Sequence, residues 1–159
     1  MSESIVEQIQ ARVKTELEAI TGDSGTTYWY TPDKVTRCDV FDARLLVAQY
    51  QVIYLQRDSG DDGRSDRAFG EEGRAIDIFI QVHKQDTRGE KDPHQAITTA
   101  GTIRNRMIKD VMKAMRTNNR HNNLAINTEI ESVLRDLASP DGWISAEIML
   151  TITYMDEDV

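Results

Sequence analysis

Between Trp143 and Tyr154 the chain alternates without a break. Ile144, Ala146, Ile148, Leu150, Ile152 and Tyr154 take every second position, and Ser145, Glu147, Met149, Thr151 and Thr153 stand between them. Successive side chains leave opposite faces of a strand, so this spacing predicts a β-strand with one buried face. Ile76, Ile78, Ile80 and Val82, separated by Asp77, Phe79 and Gln81, predict a second strand of the same kind. Two such strands must share a sheet, and the sheet needs something to cover its apolar face.

Two helices can supply that cover. Ser4-Ile5-Val6-Glu7 has the form of a capping box. Ile5, Val6, Ile9, Val13, Leu17 and Ile20 then recur at helical spacing, and Gly22 is a natural stop. Asp92-Pro93 provides a second helix start, with proline at the first helical position. Ile97, Ala100, Ile103, Met107, Ile108, Val111, Met112 and Met115 form the apolar stripe that follows, its methionines read as core filler. Arg104, Arg106, Lys109, Lys113, Arg116 and Arg120 make the polar side basic.

The remaining segments are less regular. Tyr28-Trp29-Tyr30-Thr31-Pro32 is an aromatic patch closed by proline. Val35 to Phe41 suggests a short strand, and Leu45 to Leu55 a strand so continuously apolar that its faces cannot be told apart. Arg57 to Arg74 mixes acids, arginines and glycines with no apolar period and reads as a long charged flexible loop. Ile126 to Leu137 fits two descriptions. Thr128 and Glu131 suit a capping box, with Ile130, Val133, Leu134 and Leu137 at helical spacing; equally, Pro140-Asp141-Gly142 could turn a strand into the last one. The strand reading is preferred. Residues 155–159 form an acidic tail. The expectation is a single α+β domain over 1–159: one mainly antiparallel sheet of four to five strands with two amphipathic helices packed on one face.

The chemistry is mostly negative. A net charge of −8 repels phosphate backbones and anionic membrane surfaces. Cys38 is the only cysteine, which excludes an intrachain disulfide and a thiolate zinc site. No signal-like or membrane-spanning run occurs, so a soluble protein of a reducing cytoplasm is expected. His83, His94 and His121 lack metal-binding spacing and read as surface residues. Asp58, Asp62 and Gly63 imitate part of a calcium loop, but its twelfth place is Phe69 where a bidentate carboxylate is required. Gly60-Asp61-Asp62-Gly63 would turn carboxylates towards a phosphate. No catalytic residue, cofactor or metal ligand is predicted.

In its order of elements the chain resembles the tail-terminator and minor-tail (neck-region) proteins of long-tailed bacteriophages. The likeness runs from the helix Ile5 to Ile20, through Tyr30-Thr31-Pro32-Asp33-Lys34-Val35 into the sheet. It continues through the strand-loop-strand around Arg57 to Arg74 and the long helix after Asp92-Pro93-His94, to Ile148-Met149-Leu150-Thr151-Ile152-Thr153-Tyr154. The resemblance implies a structural virion protein without enzyme activity, made in the host cytoplasm. Its copies would form a homo-oligomeric ring, commonly a hexamer, that caps the tail tube and joins tail to head. The implied partners are tube protein, sheath and neck or connector proteins, with DNA passing transiently through the lumen and no membrane. Candidate assembly residues are Asp58, Asp61, Asp62, Arg64, Arg67, Glu71 and Glu72 in the charged loop, Arg104, Lys109 and Lys113 on the basic helix, and Glu147 and Met149 on the last strand. Rival expectations are another head-completion protein, a small metal-dependent hydrolase using loop carboxylates, and an adaptor that binds by sheet-edge pairing.

Overall fold

The computed structural model describes residues 4–23, 25–38, 42–56, 66–68, 71–85, 93–118, 120–121, 125, 127–134 and 142–155. In chain order the elements are α1 (Ile5–Glu18), β1 (Lys34–Arg37), a 3-10 turn (Ala43–Leu45), β2 (Tyr50–Gln56), β3 (Asp66–Ala68), β4 (Glu71–Gln85), α2 (Pro93–Thr117), β5 (Asn127–Leu134) and β6 (Trp143–Met155). The fold is α+β: a mixed sheet in the order β1-β2-β4-β6-β5, with β3 paired to β4, plus two helices. Among the described residues only the β1–β2 pair is parallel.

Local rules account for the elements. The capping box closes the start of α1: Ser4 Oγ accepts from the Glu7 amide at 3.2 Å, and Glu7 Oε2 accepts from the Ser4 amide at 2.9 Å. In the sheet, the register pairs Ile78 with Leu150, Ile80 with Ile148 and Val82 with Ala146, so the even-numbered positions of β4 and β6 share one face. Val52 and Tyr54 of β2 join them opposite Val82 and Ile80. One hydrophobic cluster unites these residues with Ile9, Val13, Leu17 and Ile20 and with Met107, Ile108, Val111 and Met115. Each aliphatic side chain buried there contributes roughly 1.5–3 kcal/mol.

Two expectations change, and the preferred strand reading of 126–137 holds. The 57–74 stretch is not all loop: Asp66–Ala68 pairs antiparallel with Glu71–Gly73, and β4 begins at Glu71. Only Phe69 and Gly70 separate the two strands in sequence. Main-chain pairing needs no apolar face, so a side-chain pattern could not report it. The strand read from Leu45 begins at Tyr50, after the 3-10 turn. The 126–137 ambiguity resolves to strand β5, antiparallel to β6 with a bulge between Ile130 and Ser132.

Candidate functional site

The basic side of α2 and the aromatic segment after α1 meet in a groove of about 1080 Å³. Its cations are Arg106, Lys109, Lys113 and Arg116, which recur every three or four residues and therefore form one stripe along the helix. Ile108 and Met112 contribute apolar surface, and Trp29 forms part of the opposite wall.

Two carboxylates hold that wall in place. Asp23 Oδ1 accepts from the amides of Thr27 at 2.6 Å and Tyr28 at 3.1 Å. The Thr27 amide is the main reason the Asp23 carboxyl sits below its usual range. Asp110, on α2 and 2% exposed, reaches across to the segment. Its Oδ1 accepts from the Trp29 amide and its Oδ2 from the Tyr30 amide, both at 2.9 Å. Burial raises the Asp110 pKa, outweighing the two amides that favour its charged form.

Thus secured, the aromatic rings face the cations. The Arg106 guanidinium lies 4.0 Å from the centre of the Trp29 ring, and the Lys113 ammonium 5.7 Å from that of Tyr28. Lys113 Nζ also donates to the Thr27 carbonyl at 3.0 Å. Gly25 adopts φ +90°, and a β-carbon there would stand 2.5 Å from the Trp29 ring. Lys109 and Arg116 remain exposed to solvent. Chemically, the groove suits an anionic partner with a small apolar element.

The odd-numbered face of the sheet carries a different arrangement. His83 Nδ1 is 2.6 Å from Ser145 Oγ, His83 Nε2 is 3.2 Å from Gln81 Oε1, and Gln81 Nε2 donates to Glu147 Oε2 at 2.8 Å. The carboxylate only accepts, so Gln81 turns its NH₂ to Glu147 and its carbonyl to His83. Nε2 then carries the histidine proton, and Nδ1 accepts from the serine hydroxyl. Burial pushes the His83 pKa down to about 4, consistent with this neutral form. A serine donating to a histidine is the beginning of a nucleophile–base pair. Here both side chains are 0% exposed, and a substrate has no access to them.

These positions correct two sequence expectations. His83 and His121 are buried rather than at the surface. The odd face is closed at its β2–β4 end, where Gln51, Ile53 and Leu55 are buried as well. Ser145 likewise is no outward residue, although Glu147 and Met149 remain partly exposed. His121 links α1 to β5, with Nδ1 2.7 Å from Glu16 Oε2 and Nε2 2.7 Å from Thr128 Oγ1.

Of the predicted assembly residues, the groove gathers Lys109 and Lys113. Arg104 is turned away: its Nε donates to the Ser145 carbonyl at 3.0 Å and bridges α2 to β6. Arg67 falls on β3, and Glu71 and Glu72 on β4. Asp58, Asp61, Asp62 and Arg64, the side chain of His94, and the acidic residues 156–158 lie outside the described residues. Trp29, Arg106, Asp110 and Arg116 were missed as a site, although the aromatic patch and the basic stripe were each visible alone. Among the described residues no cluster of His, Cys, Asp or Glu could hold a metal ion, and no helix is long and apolar enough to cross a membrane. No protein-family model and no curated protein matches the chain.

Proposed function

We propose that this chain is a structural virion subunit, a tail terminator whose copies close into a ring, commonly of six. The ring caps the tail tube and joins it to the head or neck. Its partners are further copies, tube protein, and sheath or connector proteins, and DNA passes through the lumen. The observation that carries this reading is the groove: a chain of net charge −8 concentrates four cations on one helix beside a braced aromatic wall. A ring needs two different surfaces per subunit that complement each other head to tail, and a localised basic groove on an acidic chain supplies one of them. In this arrangement both helices cover the even-numbered face of the sheet. Glu147 and Met149, on the odd-numbered face, are turned towards a neighbour or the lumen.

The test is the mass of the particle in solution, by native mass spectrometry and sedimentation velocity, alone and with tube protein. The expected species is a closed oligomer at an integer multiple of 18.1 kDa. A single chain under every condition contradicts the proposal.

A further inference from the structure

The geometry points to a specific contact: the α2 groove of one copy receives the outer edge of β5 from a second copy. Glu129 and Glu131 on β5 are both exposed, and Leu134 beyond them is 47% exposed. The groove offers the complement, with Lys109 and Lys113 at its rim and the half-buried Met112 beside them. The spacings agree. Glu131 stands at the bulge, which shortens the strand, so the glutamates lie at most about 6.6 Å apart along it, and four residues along a helix place the lysines about 6 Å apart. Leu134 lies past the bulge, opposite Glu147 as Glu129 is opposite Thr151, so it shares the face of Glu129 and can make an apolar contact next to the charged pairs.

The β5 edge is unsuited to strand addition. The bulge between Ile130 and Ser132 interrupts the ladder, and acidic side chains discourage edge-to-edge pairing. What it can offer a neighbour is side chains, and those side chains match the groove. A nucleic acid is a poorer occupant, because the net charge of −8 repels it and Arg106 already covers one face of the Trp29 ring. The contact joins two different patches, so repeated copies form a head-to-tail series, as the ring reading requires.

Two charge reversals test it. Lys109→Glu with Lys113→Glu makes the groove acidic; Glu129→Lys with Glu131→Lys makes the edge basic. Each doubly substituted chain alone faces like charge with like and is expected to associate at least tenfold more weakly than the wild type. Mixed in equal amounts, every groove meets an opposite edge, and assembly is expected to return with the two chains alternating. A native circular-dichroism spectrum and a cooperative melt for each variant exclude misfolding, the melt of the groove variant being expected lower because Lys113 gives up its bond to the Thr27 carbonyl.

This contact presumes the ring only for its closure, so the two ideas fail separately. Wild-type oligomers that survive both reversals overturn the contact and leave the ring standing. If the wild type stays monomeric, the ring reading falls, and carbodiimide coupling of concentrated wild-type protein decides the contact. Lys109 or Lys113 joined to Glu129 or Glu131 between isotopically distinct chains supports it; absence of those links overturns it. Binding of a single-stranded oligonucleotide that is lost on reversing the lysines also overturns it.

Discussion

Asp110 Oδ1 accepts a hydrogen bond from the Trp29 amide at 2.9 Å, across 81 residues of sequence. Its other oxygen serves Tyr30. One buried carboxylate therefore fixes the backbone that carries the groove's aromatic wall. Asp110→Ala leaves two part-buried amides without their acceptor, at about 1–3 kcal/mol each. Urea denaturation is expected to show a loss of about 2–6 kcal/mol, and Asp110→Asn, which keeps one acceptor, a smaller one.

Gly25 makes the same wall sensitive from the other side. At φ +90° a side chain is strained, and at 2.5 Å a β-carbon collides with the Trp29 ring. Gly25→Ala is expected to cost about 1–3 kcal/mol and to displace the ring from Arg106. A changed Trp29 environment, seen as a shifted indole NMR signal, checks the second effect.

Stability should depend on pH through His83. Its pKa falls from 6.5 unfolded to about 4 folded, so the unfolded chain binds the extra proton between those values. The contribution is complete above pH 6.5 and is lost as pH falls towards 4, amounting to about 3 kcal/mol at most. Urea midpoints measured from pH 7 to pH 4 are expected to drop across this window, with a flatter profile in His83→Gln.

Tyr50 presents the opposite case. Its ring packs edge-on against Tyr30 at 6.1 Å between centres, but its buried hydroxyl has no hydrogen-bond partner among the described residues. Removing an unsatisfied buried group is neutral or favourable. Tyr50→Phe is expected to keep or raise stability, by up to about 1 kcal/mol, in thermal melts.

How far the sequence could be read depended on which interactions hold each part. The alternation of Ile76 to Val82 and of Ile144 to Tyr154 reports a local period, and it named the core face of both strands correctly. Ile130 and Val133 show where such a reading stops. Both pack against the core, yet they are three positions apart, a helical spacing. The bulge at Glu131 shifts the register, which pairs Ile130 with Leu150 and Val133 with Ile148. The extra residue thus imitates a helix in a strand.

His83 shows a second limit. Parity assigned it to the odd face, but no local signal said that this face would be closed beside β2. The groove shows a third. Lys109 and Lys113 were visible as one side of a helix; that Trp29 would stand against Arg106 depends on a long-range bond from Asp110, which periodicity does not record.

Self-association through the groove is the central claim, and sedimentation velocity of the two charge-reversed chains, separately and mixed, tests it most directly. The account predicts slow, monomer-sized boundaries for each alone and a fast boundary of oligomer size for the equal mixture. Equal sedimentation of the separate and mixed samples would contradict it.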